Sequence, residues 1–201
     1  MLRAGFSSRC ITPSPGKEIP GLFERRFAQG VHDDLYARAA VIEEDARTVA
    51  VVQVDTIVLP EEVVAEARKE VQRLCGIPTK HCFLAATHTH SGGPICDLLT
   101  AEGEPEYQRF VAQQIAAAVF EARRRMEPVF WGVDRELARG VAFNRRFVMQ
   151  DGSHKTHPGK MNAGILSPAG PEDPTVLALT FYEPEHCRPV GCLVNFACHA
   201  T

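Results

Sequence analysis

Residues 82–94 read CFLAATHTHSGGP, and this stretch decides how the rest of the sequence is interpreted. The apolar run Cys82–Ala86 predicts a β-strand, and His88 and His90 follow where the chain enters a glycine loop. Side chains two positions apart in a strand lie on the same face, so we expect the two imidazole rings to project together. Neutral imidazole is the commonest protein ligand for zinc and similar metals. The stretch therefore predicts a metal site at a strand end, with a purely structural role for the two rings as the alternative.

A second apolar run is followed by a histidine near the end of the sequence. Residues 193–201 read LVNFACHAT, and His199 follows the strand that they predict. A lone strand-end histidine is more often structural or solvated than a ligand, so both interpretations stand. Arg145 also follows a predicted strand, where its guanidinium could hold a carbonyl or an oxyanion, although arginine is usually a surface residue. Asp55 could orient a histidine or cap a turn, and His32 could belong to an entry loop or act as a ligand.

Composition and charge exclude several classes of function. With 45% hydrophobic and 23% charged residues, the 201-residue chain is typical of one globular domain with a sizeable core. Its net charge of −3 gives no basis for binding nucleic acid or an anionic membrane, and no run approaches the ~20 apolar residues of a transmembrane helix. The glycines lack phosphate-loop spacing, and Ser91 lacks the G-x-S-x-G elbow of serine hydrolases. Seven scattered cysteines and no apparent secretion signal lead us to expect free thiols and a cytoplasmic protein.

Strand and helix patterns are interleaved along the chain. We expect strands at residues 3–11, 36–43, 48–54, 82–86, 129–133, 140–143, 176–182 and 190–196, and no clear element in residues 149–174. One helix is opened by Pro60 and stopped by Gly76, and the other is opened by Pro105 and ended by Pro128. The first helix carries an apolar stripe, namely Val63, Ala67, Val71 and Leu74. We expect the strands at 36–43 and 48–54 to form one hairpin and those at 176–182 and 190–196 another. Hairpins combined with helix-linked strands predict an α/β fold built on mixed sheets.

Four segments resemble signatures of one family, the neutral/alkaline non-lysosomal ceramidases. The segment at 86–92, ATHTHSG, is similar to the family's SATHTHSG, and the one at 30–39, GVHDDLYARA, is similar to G-x-H-x-x-L-Y-A-R-A. The segment at 143–145, FNR, resembles x-N-R-S, and the one at 195–201, NFACHAT, resembles VHAT or NFACHPT. Any one of these would be weak, but together they follow the family's order and extend nearly end to end. The combination is therefore specific to this family.

The resemblance implies a fold, an activity and a set of site residues. The family's catalytic domain has stacked mixed β-sheets flanked by helices, an αββα-like arrangement, and it carries one zinc ion. By this resemblance His88 and His199 are zinc ligands, whereas His90 and Arg145 contact the substrate or the transition state. It also implies a zinc-dependent amidohydrolase of lipid and sphingolipid metabolism, in which a metal-activated water cleaves the amide bond of an N-acyl, ceramide-like substrate.

The sequence also departs from the family pattern, which indicates a divergent, bacterial relative whose substrate need not be ceramide. The family's remaining zinc ligands, a glutamate and a tyrosine, come well after the last matching segment, and Arg146 replaces the family's serine. We therefore expect residues 1–201 to be the amino-terminal portion of a ceramidase-like zinc hydrolase domain, incomplete at the C-terminus. Such a portion would self-associate or need the missing C-terminal segment. A catalytically incomplete metal-binding or structural half-domain is the alternative, and a metallo-esterase is the weaker one.

Overall fold

The computed structural model describes residues 1–45 and 47–199, which form two compact units. The first unit comprises residues 1–45, 47–132 and 180–192, and the second comprises residues 133–179 and 193–199. The described residues contain three β-sheets and two α-helices. This mixture confirms the α/β class expected from the sequence.

The first unit is built on a mixed, five-stranded sheet. Its strands, in the order β4-β3-β2-β1-β5, are β1 (Arg3–Cys10), β2 (Tyr36–Glu44), β3 (Arg47–Val54), β4 (Cys82–Ala86) and β5 (Glu127–Pro128). The predicted hairpin is present as the antiparallel pair of β2 and β3, whereas β3 and β4 run parallel. Alternate side chains of β2 and β3 are buried opposite one another, as in the pairs Ala37–Val54, Ala39–Val52 and Val41–Ala50. This alternation fixes the register, because a slip of one residue would expose the whole apolar set.

Helix α1 (Glu61–Cys75) makes the crossover that joins the parallel strands β3 and β4. Pro60 immediately precedes it, and Gly76 ends it in the left-handed conformation with a φ of 68°, which a residue without a Cβ adopts at little cost. The predicted boundaries are therefore confirmed at both ends.

One member of the predicted stripe on α1 is wrong. Val63, Ala67 and Val71 are buried, but Leu74 is 39% exposed and Cys75 is buried in its place. The three confirmed positions follow one another at a spacing of four residues, and Cys75 continues that spacing toward the core.

Helix α2 (Pro105–Arg124) packs against β1, β2 and α1. It begins at the predicted proline but ends earlier than expected, because the backbone N–H of Arg125 closes its last turn and Pro128 lies in β5. The helix approaches β1 very closely at Gly5, where an added Cβ would lie 2.0 Å from the carbonyl oxygen of Ala122.

The remaining strands form two further sheets. They are β6 (Phe130–Leu137), β7 (Arg146–Met149), β8 (His154–Thr156), β9 (Ile165–Pro168), β10 (Thr175–Tyr182) and β11 (Pro189–Phe196). One sheet has the order β11-β10-β6, and the other, within the second unit, has the order β8-β7-β9. The last two strands of the chain are neighbours, as expected.

Two expectations about residues 140–174 are wrong. Residues 140–143 form a turn and a bend without a strand, and the strand of this region is β7. Residues 149–174 contain β8 and β9, both of which pair with β7. All three residues of β8 are exposed, so it lacks the apolar alternation by which a strand is recognised in a sequence.

Helix length and apolarity bear on membrane crossing. Neither helix of the described residues combines the length and the apolarity that a membrane span requires.

The seven cysteines all lie in the described residues and carry free thiols, as expected. Burial raises the pKa of the Cys82 thiol to about 11, so this residue serves packing rather than nucleophilic chemistry.

Candidate metal centre

The candidate site begins where the parallel strands β3 and β4 end. The loop after β4 is bonded to the loop after β3, because Thr87 N–H donates to the carbonyl of Val54 (3.0 Å) and His88 N–H to that of Thr56 (2.9 Å). Sites in α/β sheets are usually built at the carboxyl ends of parallel strands, where successive loops meet at one edge. The two histidines therefore stand at the position where such a sheet usually holds its functional groups.

The imidazole rings of His88 and His90 lie together, but the reason inferred from the sequence is wrong. β4 ends at Ala86, so neither histidine belongs to a strand. His88 has a φ of 62°, in the left-handed region that non-glycine residues rarely adopt. The turn that follows brings the two ring centroids within 5.2 Å, with the ring planes at 83° to each other. A strained turn, rather than strand alternation, makes the pair, and such strain is common at functional sites.

Both rings are oriented by backbone carbonyls. His88 Nδ1 lies 2.7 Å from the carbonyl oxygen of Ile57, and His90 Nδ1 lies 2.9 Å from that of Gly21. A carbonyl oxygen can only accept, so each Nδ1 carries the proton and donates it. In the neutral ring the lone pair then resides on Nε2. This is the arrangement of most metal-ligating histidines, whose second ring nitrogen donates to a carbonyl or a carboxylate. The donor set therefore fits a zinc ion.

Residues 87–94, which follow β4, are called the histidine loop from here on. A cavity of about 670 Å³ lies beside this loop within the first unit. Thr89, Ser91 and Gly92 line it from the histidine loop, and His32 and Asp33 line it from the loop before β2. His32 is almost fully exposed and its Nδ1 lies 2.9 Å from a carboxylate oxygen of Asp33. Of the two interpretations of His32, its position favours an entry loop.

The other residues singled out by the sequence occupy different surroundings. Asp55 accepts hydrogen bonds from the Tyr36 N–H (2.9 Å) and from the Arg38 guanidinium, which favours its turn interpretation. Arg145 is exposed, directly precedes β7 and belongs to the second unit, as does His199, which follows β11. The roles of Arg145 and His199 stay predictions.

Three residues that orient the histidine pair were missed by the sequence reasoning. Ile57 and Gly21 act through their carbonyls, and Arg26 donates from its guanidinium to the carbonyl oxygen of His90. A backbone acceptor leaves no side-chain signature in a sequence. The one available signal was the Pro20-Gly21 dipeptide, which is typical of a turn.

Comparisons with known proteins bear on the fold. No family model matches this sequence, and no curated protein matches it. A solved structure described as a ceramidase complexed with C2 matches 98% of this chain with a TM-score of 0.79 at 23% identity. The neutral ceramidase from Pseudomonas aeruginosa matches 98% of this chain with a TM-score of 0.78 at 21% identity. This chain shares the fold of part of a ceramidase. It spans about a third of the length of those proteins, 31% and 32% respectively, and at this identity the likeness establishes the fold alone.

Proposed function

We propose that this chain is the amino-terminal portion of a ceramidase-like zinc hydrolase. The whole protein would cleave the amide bond of an N-acyl, ceramide-like substrate. Two kinds of likeness support the proposal, namely the four sequence segments and a fold that matches ceramidase structures over 98% of this chain. Since the chain spans about a third of those proteins, the activity is proposed for the whole protein and not for residues 1–201 alone.

The orientation of the histidine pair is the observation that carries this proposal. Two neighbouring rings donate their Nδ1 protons to the carbonyls of Ile57 and Gly21, so both present Nε2 as the basic atom. One such ring is common in any protein, but two at 5.2 Å suit a site where one nitrogen binds a metal and the other moves a proton.

The roles within the site follow from the resemblance and from this orientation. His88 and His199 are the residues proposed to hold the metal, as the resemblance implies. His90 exchanges a proton with the reacting amide, and Arg145 holds its developing oxyanion through paired N–H donors. When bound, zinc supplies Lewis-acid activation of water at neutral pH.

The metal assignment is tested by zinc content after equilibrium dialysis. We expect the wild-type protein to retain zinc, and His88→Ala and His199→Ala to lose it. His81→Ala is the matched control, because His81 Nδ1 also contacts a carbonyl, that of Thr48 at 3.2 Å, but lies in the segment before β4. Equal zinc content in all four proteins would refute the assignment.

Roles within the pair are separated by turnover in the full-length protein. His90→Ala is expected to retain zinc and to lose about 10²–10⁴-fold in kcat, the usual contribution of a general acid or base. If His90→Ala strips the metal while His88→Ala does not, the two roles are exchanged.

The bond cleaved is tested with a matched pair of fluorogenic substrates that carry the same acyl chain, one an amide and one an ester. Zinc-dependent cleavage of the amide is the expected result. Cleavage of the ester alone would support the metallo-esterase alternative, and cleavage of neither by the zinc-loaded full-length protein would refute the proposed function.

A further inference from the structure

Residues 16–28, hereafter the 16–28 loop, fold back on themselves without forming a regular hairpin. Gly16 N–H donates to the carbonyl of Ala28 (2.7 Å), and Ala28 N–H donates to that of Lys17 (2.8 Å). Further along, Ile19 N–H donates to the carbonyl of Arg26 (2.8 Å). These bonds hold the two arms of the loop together and leave residues 20–25 as its tip.

The tip and one arm of the 16–28 loop both form hydrogen bonds with His90 of the histidine loop. The carbonyl oxygen of Gly21 accepts from His90 Nδ1 at 2.9 Å, and the Arg26 guanidinium donates to the carbonyl oxygen of His90. The same loop therefore fixes both the ring and the backbone of His90. Gly21 and His90 are 69 positions apart in the sequence, so only the fold creates this contact.

Gly21 can approach His90 this closely because it has no side chain. Its φ is +99°, and an added Cβ would lie 2.9 Å from His90 Nδ1 and 2.2 Å from Ile57 Cδ1. Ile57 is 2% exposed, and its carbonyl is the acceptor for His88 Nδ1. A side chain at position 21 would thus push against the ring of His90 and against the residue that orients His88.

The 16–28 loop is anchored to the chain just before α2. Glu18 is 6% exposed and accepts two hydrogen bonds from Arg25, from Nε at 2.8 Å and from Nη2 at 2.9 Å. Lys17 forms an ion pair with Glu104, the residue that precedes the first residue of α2. A paired guanidinium and carboxylate with one member buried hold a fixed geometry, because both hydrogen bonds must break together. The Glu18–Arg25 pair therefore stabilises the loop internally, and the Lys17–Glu104 pair links the loop to the start of α2.

We infer that the 16–28 loop is the positioning element of His90, with Gly21 and Arg26 as its positioning residues. The carbonyl of Gly21 keeps the proton of His90 on Nδ1 and its lone pair on Nε2, the atom that takes or gives a proton in the proposed reaction. Only the catalytic importance of this orientation rests on the proposed function. The tautomer itself is a property of the metal-free chain.

The tautomer is measured directly by multiple-bond ¹H–¹⁵N correlation spectra of the metal-free chain labelled with ¹⁵N-histidine, at one pH above the histidine range. His90→Asn assigns the resonances. We expect wild-type His90 in the Nδ1–H form, and Gly21→Ala to give a mixture of both tautomers, as in an unconstrained ring. Gly159→Ala is the matched control, because Gly159 has the same φ of +99° but nothing lies within 4 Å of an added Cβ. A wild-type Nε2–H form, or equal effects of the two glycine substitutions, would overturn the inference.

A second pair of variants keeps the test independent of whether Gly21→Ala folds. Arg26→Leu removes the donor to the His90 carbonyl and is expected to lower the Nδ1–H population, whereas Arg26→Lys keeps a donor and is expected to restore it. No difference between these two variants would overturn the role of Arg26.

Turnover separates this inference from the proposed function. In the full-length protein saturated with zinc, Gly21→Ala is expected to lower kcat by about 10–100-fold, the usual effect of disturbing the group behind a site residue. Gly159→Ala is expected to leave kcat unaffected. If wild type shows the Nδ1–H form of His90 but no amidase activity, the proposed function fails while the positioning role stands. If Gly21→Ala alters the tautomer without lowering an established kcat, the positioning role in catalysis fails.

Discussion

Tyr107 connects three parts of the first unit, and removing its hydroxyl tests how much the buried hydrogen bond to Ile11 contributes to stability. Tyr107 lies in the first turn of α2, is 8% exposed, and donates to the carbonyl oxygen of Ile11 at 2.8 Å. Its ring packs against the histidine loop at Gly93, where an added Cβ would lie 2.4 Å from Tyr107 Cζ. Burial raises the pKa of the Tyr107 hydroxyl well above its usual range, so it remains a donor at any working pH.

Tyr107→Phe keeps the ring and deletes only the donor. The carbonyl of Ile11, a fully buried residue, then loses this partner, and leaving a buried acceptor unsatisfied costs about 1–3 kcal/mol of unfolding free energy. For a domain of this size each kcal/mol corresponds to about 2–4 °C in Tm, so a fall of roughly 2–12 °C is expected.

The assay is thermal unfolding followed by circular dichroism, with Tyr36→Phe as the matched control. Tyr36 is only partly buried, and loss of a hydroxyl at a partly exposed position is expected to change stability by no more than about 0.5 kcal/mol. Equal Tm values for the two variants would refute the reasoning, because the Ile11 bond would then contribute nothing beyond an ordinary surface hydroxyl.

Four further outcomes are expected. Gly5→Ala should be among the most destabilising substitutions in the chain, because its Cβ would meet the backbone oxygen of Ala122 at 2.0 Å, and a Tm equal to that of wild type would contradict the packing of α2 on β1. The hydrogen bonds from Arg25 lower the pKa of Glu18 below 4.5, so their stabilisation is complete above that pH and is lost as pH falls through the lower value. The protection factors of the 16–28 loop in hydrogen exchange, which correct for the slower intrinsic exchange in acid, should fall there, and Glu18→Gln should remove this pH dependence. Zinc affinity, measured by competition with a chelator, should fall on acidification, since only neutral histidine binds a metal. In the full-length protein Arg145→Ala should retain zinc and lose about 10²–10³-fold in kcat, and an unchanged kcat would remove Arg145 from the site.

Local sequence signals determined much of the first unit. Alternating apolar residues located β1, β2 and β3, and Pro60 and Gly76 set the limits of α1, because these signals act through the backbone of a few neighbouring residues. The histidine pair was also recognisable, because two imidazoles two positions apart, between an apolar run and a glycine loop, are typical metal-ligand residues.

Residues 140–174 were misjudged because their strands are held by pairing and not by burial. β8 is fully exposed, and its Lys155 pairs with Phe147 of β7. Neither residue type nor spacing predicts such a partner, because the pairing supplies backbone hydrogen bonds that every residue can make.

The geometry of the site was decided by tertiary structure alone. The sequence determined that His88 and His90 are neighbours, but the left-handed turn at His88 sets how the two rings meet. Their proton positions depend on the carbonyls of Ile57 and Gly21, which lie 31 and 69 positions away in the sequence. Every residue has a backbone carbonyl, so the residue type does not show which carbonyl will accept a hydrogen bond from a histidine. Only the folded structure determines which carbonyls lie next to the two rings.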